Sequence, residues 1–219
     1  MLGPNAILGH AIVTGGSSWT NYPAGDVAIM ADTGCSVAHA VWVFARRGIV
    51  MESFGAYRRA GVNMSLGTDT NPQSVIEAMR WAAVVSKIVE RETEATTAAH
   101  VFDAATLGGA KALGRDDLGR IAPGARADLV LWKGASWGLT PLRDPVKNIV
   151  YNATAEDVDR VWVDGRLVVE SGRGRAADER AVLAALQAAG ERMWPRMRQF
   201  DWAGRDADAL SPQTYPEWR

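Results

Sequence analysis

A single cysteine, Cys35, stands in 219 residues, so neither an intrachain disulfide framework nor a cysteine-only metal cluster is available. A lone buried thiol is the expectation. Histidine is nearly as scarce: His10, His39 and His100 make up the whole set of three. No charge of one sign dominates. With 24 Lys and Arg against 25 Asp and Glu, the formal net charge is -1, which leaves no electrostatic footprint for nucleic acid or an anionic membrane. No apolar run approaches the ~20 residues that a membrane-spanning helix needs. Met1-Leu2-Gly3-Pro4-Asn5 carries neither the basic nor the apolar region of a secretory leader. The expected compartment is the cytoplasm, with no nucleic-acid and no membrane partner. Internal repeats and low-complexity tracts are missing too.

What is present is the composition of an ordinary folded domain, 47% apolar and 22% charged. The length suits one large domain or one and a half small ones. Nine tryptophans, with no basic stripe beside them, read as core and pocket walls.

Residues 1 to about 70 alternate short apolar runs with amphipathic stretches, the rhythm of β/α units. Ala6 to Gly9 predicts a strand ending at His10. A helix over Asp26 to Asp32 is stopped by Gly34. Ser36-Val37-Ala38 predicts a second strand ending at His39. A helix over Glu52 to Ala60 is stopped by Gly61, and Val62 to Gly67 predicts a third strand, with Asp69 just beyond. Three polar groups, His10, His39 and Asp69, are thus expected at the C-terminal ends of three successive parallel strands. In β/α barrels that end converges side chains on one mouth. A single histidine at a strand end is more often a structural residue; the repetition favours a site. Next comes a long helix, with Asn71 as N-cap, Pro72 in its first turn, and Ile76, Met79, Ala83 and Val84 facing inward. Thr96 or Thr97 starts another helix, and Thr106 caps a further short one ending at Leu113. His100 falls in this helical region and reads as structural or solvent-facing.

Near residue 115 the character changes. Ile121-Ala122-Pro123-Gly124 signals a turn, and Asp128 to Trp132 a strand. Val158 to Val163, Asp164-Gly165 and Arg166 to Val169 form a hairpin with a two-residue turn, in which Leu167 and Val169 join Val161 and Val163 on one face. Asp178 to Arg198 predicts a helix with Val182, Leu183, Leu186, Ala189 and Met193 as its apolar stripe. The tail from Asp201 is polar. The expected domains are 1–115 for a barrel portion, 116–175 for a small β subdomain, and 176–219 for the terminal helix and tail.

Four passages carry a family likeness. Ile7-Leu8-Gly9-His10-Ala11 and Val37-Ala38-His39 are two of them. Gly61-Val62 through Leu66-Gly67-Thr68-Asp69-Thr70 is the third. The fourth runs from Ala105-Thr106-Leu107-Gly108-Gly109-Ala110-Lys111-Ala112-Leu113-Gly114 through Gly119-Arg120-Ile121-Ala122-Pro123-Gly124 to Ala127-Asp128-Leu129-Val130. In this order, and closed by Val161-Trp162-Val163-Asp164-Gly165, they resemble the amidohydrolase superfamily, in its branch of triazine chlorohydrolases and cytosine and guanine deaminases. The match covers nearly the whole chain and corresponds to the C-terminal portion of such enzymes.

The resemblance implies an α/β fold: the last three β/α units of a (β/α)8 barrel, then a small incomplete β-sandwich and a terminal helix. It also implies hydrolysis of non-peptide C–N or C–Cl bonds in a small heterocyclic substrate, with a divalent metal, zinc or iron, activating water. Asp69 inherits the role of metal ligand and base. His10 orients the water or polarises the leaving group, and serves as a second metal ligand in two-metal relatives. His39 and Trp19 are candidate substrate neighbours, although Val41 stands where the family commonly has a proline after the seventh-strand histidine. The first-strand His-x-His pair and the fifth-strand histidine have no counterpart here. The expectation is therefore a fragment inactive and poor at holding metal alone, completed by a missing N-terminal half or by a second copy. The competing expectation is a non-catalytic interaction module that retains the barrel remnant.

Overall fold

A computed structural model describes residues 2–51 and 53–215, which fall into two compact units, 1–172 and 173–219. The first unit opens with three parallel strands, β1 (Ile7–Gly9), β2 (Ser36–His39) and β3 (Asn63–Leu66), in spatial order β1-β2-β3. Between them lie α1 (Asp26–Thr33), α2 (Val41–Ala45) and α3 (Phe54–Arg59). Parallel strands need crossovers on a sheet face, and these helices provide them. Gly34 ends α1 in the left-handed conformation, at φ 70°, as its lack of a Cβ permits.

The register aligns Leu8, Val37 and Met64 in one row and Gly9, Ala38 and Ser65 in the next. Because side chains alternate along a strand, the first row faces the helices. There Val37 and Met64 are buried with Met30, Phe54, Tyr57, Met79 and Ala83, and Leu8 packs against them. The second row, made of small residues, faces the other way. Cys35 is fully buried within the core, as expected of a lone thiol. The sheet does not close: β1 and β3 are its two edges, and the fold is a mixed α/β arrangement with unclosed sheets.

After β3 comes α4 (Val75–Glu90), which begins later than the sequence suggests. Ser74, not Asn71, is the N-cap, and its side chain accepts the N–H of Glu77. The inward face is Ala78, Met79, Ala82, Ala83 and Ser86. Of the two threonines expected to start α5 (Ala98–Asp103), Thr97 is the cap. Thr106, however, starts nothing. The helix runs on through a π-helical turn, Ala104–Gly108, into α6 (Gly109–Ala112). Thr106 Oγ1 donates to the Phe102 carbonyl at 2.8 Å, the back-bond of a mid-helix threonine rather than a cap.

The rest of the first unit holds β4 (Leu129–Trp132), α7 (Pro145–Tyr151), β5 (Val158–Val163) and β6 (Arg166–Glu170), the strands pairing antiparallel in the order β4-β5-β6. A bulge between Val161 and Trp162 shifts the hairpin. Val161 pairs with Val169, but Leu167 lies opposite Trp162 instead of joining the valine face. Asp144 caps α7, and Pro145 sits in its first turn. The second unit contains α8 (Glu179–Met193), a 3-10 turn over Trp194–Gln199 and α9 (Ala207–Leu210). Asp178 caps α8 by accepting the N–H groups of Arg180 and Ala181.

Candidate functional site at the strand ends

His10 follows β1 directly. Its backbone N–H donates to Ala38 O at 2.9 Å, continuing the β1–β2 ladder by one bond. The chain then turns sharply: φ is 47° at His10 and 44° at Ala11. The imidazole is half-buried and meets Phe44 of α2 edge-on, with ring centroids 4.8 Å apart, a geometry that aromatic quadrupoles favour. His10 lines a groove of about 520 Å³ that runs along β1 and α1, together with Ile7, Ile12, Val13, Ile29 and Met30.

Asp69 stands three residues past Leu66, exposed, with φ at 52°. Left-handed backbone at a non-glycine residue is uncommon, and at a strand end it re-aims the side chain. Of the other such residues in the first unit, Ala11 continues the turn begun at His10, Arg91 ends α4, and Asp164 and Ser171 sit in turns. His10 and Asp69 flank β2 on the same end of the sheet, two strand spacings or ~10 Å of backbone apart. Asp69 is not among the residues lining the groove that holds His10. Between them the floor is small: Gly9, Ala38 and Ser65 share a row, and a Cβ on Gly67 would meet Ala38 Cβ at 4.0 Å.

His39 lies on the opposite face of β2, where it is only 4% exposed and its ring sits 5.8 Å from that of Phe54. Burial lowers its pKa to about 4, because the charged form loses its hydration; the ring is neutral at pH 7. Trp19, on the loop after β1, is 48% exposed and donates its Nε1–H to the Val50 carbonyl at 3.1 Å. His100 is structural: its Nδ1 accepts the Thr97 N–H at 3.2 Å while Thr97 Oγ1 accepts the His100 N–H, a capping box at the start of α5. Phe44, the ring against His10, had no signal in the sequence, because α2 is five residues long and leaves no legible period.

The donor set of the chain does not by itself fit a metal ion. Among the described residues no three His, Cys, Asp or Glu side chains converge as ligands would, whereas catalytic zinc sites use three protein ligands.

Known proteins share this architecture. Residues 46–168 match the model of the Amidohydrolase family. A 5'-deoxyadenosine deaminase from Methanothermobacter thermautotrophicus is 32% identical over 193 residues, 86% of this chain and 43% of that protein. A 5-methylthioadenosine/S-adenosylhomocysteine deaminase from Acetivibrio thermocellus is 34% identical over 163 residues, 72% of this chain and 38% of the relative. Among solved structures, a zinc-bound adenosine deaminase from Xanthomonas campestris superposes with a TM-score of 0.78 at 27% identity, covering 88% of this chain and 43% of the other. A variant of atrazine chlorohydrolase from Arthrobacter aurescens, complexed with zinc and atraton, gives 0.73 at 26% identity over 85% of this chain and 41% of that one. The chain thus spans less than half the length of these relatives. It matches the family model over more than half of its own residues, and it belongs to the amidohydrolase family.

Proposed function

We propose that this chain supplies the C-terminal part of a hydrolytic site that cleaves a C–N or C–Cl bond on a small nitrogen heterocycle, and that the remaining metal-binding residues come from outside it. The observation that carries the reading is the pair of left-handed residues, His10 and Asp69, at the same end of β1 and β3, with only small side chains between them. The relatives named above as deaminases and as a chlorohydrolase support the reaction class. A zinc ion, once held by a complete donor set, would activate water. Asp69 carries a carboxylate at that end of β3 and is the group to accept the proton of the attacking water. His10, steadied by Phe44, is the group to orient water or leaving group. His39 and Trp19 belong to the surroundings of the substrate in this proposal, not to its reacting atoms.

Co-expression with an N-terminal amidohydrolase segment bearing His-x-His and the fifth-strand histidine tests the reading. The assembled protein should retain zinc through gel filtration and release ammonia from an aminopurine or chloride from a chlorotriazine. Asp69→Asn should abolish turnover in that assembly. A zinc-loaded assembly with no hydrolysis of either class, or one indifferent to Asp69→Asn, sinks the proposal. A second reading, a non-catalytic interaction module, is favoured by the exposed Ile7, Val13 and Ile29 along the free β1 edge. It predicts partner binding that Asp69→Asn leaves untouched.

A further inference from the structure

At the other end of the strands, around the start of β3, a cavity of about 310 Å³ is lined by Phe54, Arg58, Asn63, His100, Asp103 and Lys111, among others. Its cationic groups come from three elements: Arg58 from the last turn of α3, His100 from α5 and Lys111 from α6. Arg59, the neighbour of Arg58, is already paired with Glu90 at 2.6 Å. Arg58 and Lys111 have no ion-pair partner among the described residues, and neither has closed onto Asp103, the one carboxylate in the lining.

The third donor is fixed. Because His100 Nδ1 accepts the Thr97 N–H, the neutral ring carries its proton on Nε2 and remains a donor there at any pH. Asn63 closes the base of the cavity, its Nδ2 donating to Ser36 Oγ at 2.8 Å and to the Gly108 carbonyl at 3.1 Å. The volume corresponds to about ten waters at ~30 Å³ each. That holds a tetrahedral oxyanion with some hydration.

We propose that this cavity binds a small tetrahedral oxyanion, phosphate or the head of a phosphomonoester, through Arg58, Lys111 and the Nε2–H of His100. Arg58 and Lys111, both exposed, line the same cavity, and a guanidinium fork with an ammonium suits phosphate oxygens through charge-assisted hydrogen bonds. The site is separate from the strand ends that carry His10 and Asp69, and stands whether or not the hydrolase reading does.

The test uses the full chain and NMR of its histidine rings. His100 is a built-in reporter: partial burial and then the charge of Arg58 lower its pKa, with Arg59 acting in the same direction and Asp103 and Glu94 opposing. An anion among these groups offsets Arg58 and raises the pKa. Inorganic phosphate should therefore move the His100 resonances saturably and shift their titration upward by ~0.5 unit or more, against sodium chloride of equal ionic strength. Arg58→Gln with Lys111→Gln should weaken the response at least ~10-fold, while an unchanged His39 signal reports an intact core. Tighter binding of phenyl phosphate than of phosphate supports the phosphomonoester form, and equal binding the free ion. A response that chloride reproduces, or that survives in the double variant, overturns the proposal.

Discussion

Replacing His39 by glutamine should remove a large share of the chain's acid sensitivity. The imidazole is buried against Phe54, and its pKa falls from 6.5 to about 4. In the unfolded chain the ring takes up a proton near pH 6.5; in the folded chain it resists until about pH 4. Between those values the unfolded state binds more protons, so stability falls as pH falls. The contribution is fully present above pH 6.5 and gone below about 4. At ~1.4 kcal/mol per unit, that displacement amounts to about 3 kcal/mol, with a limiting slope of ~1.4 kcal/mol per pH unit. The assay is urea unfolding of wild type and His39→Gln at half-unit steps between pH 7.5 and 4. Carboxylates titrate equally in both proteins, and the packing cost of glutamine is a constant offset, so the difference between the two curves isolates the imidazole. Wild type should lose about 3 kcal/mol relative to the variant across the window. Parallel curves, or a His39 resonance titrating near 6.5, would refute the reasoning.

Thr97→Ala breaks the capping box at the start of α5 and should lower unfolding stability by about 1 kcal/mol in urea. Gly108→Ala places a Cβ 2.1 Å from the Met64 carbonyl oxygen, which forces the π-helical turn off β3. A loss of about 3 kcal/mol is expected, and a variant as stable as wild type in thermal melts would count against that close approach. Ala38→Leu fills the floor between His10 and Asp69 from the face opposite the core. In the assembled enzyme it should cut kcat/KM at least ~10-fold, or about 1.4 kcal/mol of transition-state stabilisation, with little change in the urea midpoint.

The three strands were legible because each is a short apolar run ended by a polar residue and a turn, and a register shift would have turned Val37 out of the core. Cap positions were harder. Asn71 and Ser74 are both good N-caps, and only the bond from Glu77 N–H to Ser74 Oγ decides between them. Thr106 looked like a cap because its hydroxyl can serve either a free N–H or the carbonyl of the preceding turn. The π-helical turn that uses the second option follows from Gly108 lying against the Met64 carbonyl, where only glycine fits. That is a tertiary contact with no local signature. Asp144-Pro145 before α7, by contrast, was readable as a cap and first turn and could have been found. His39 shows the limit of arguing from strand ends alone. Three polar residues recur there, yet alternation along β2 puts this one on the helix side with Val37, and only its burial makes that side plain.

Both remaining candidates have left-handed backbone, which His10 shares with Ala11. A histidine or aspartate held at positive φ costs on the order of 1–3 kcal/mol when nothing local requires it, and neither His10 nor Asp69 ends a helix or lies in a two-residue hairpin turn. The surrounding fold must therefore impose the conformation: the Ala38 carbonyl holds the His10 N–H and Phe44 abuts its ring. Between the two positions the sheet presents glycine, alanine and serine where its other face presents leucine, valine and methionine. A row of small residues gives up apolar burial that larger side chains would gain. Ser65 has a structural partner, its Oγ–H donating to the Val37 carbonyl at 3.1 Å, whereas Gly9 and Ala38 leave the floor low. The site proposed between β1 and β3 gives the turns at both rims and the low floor one common reason.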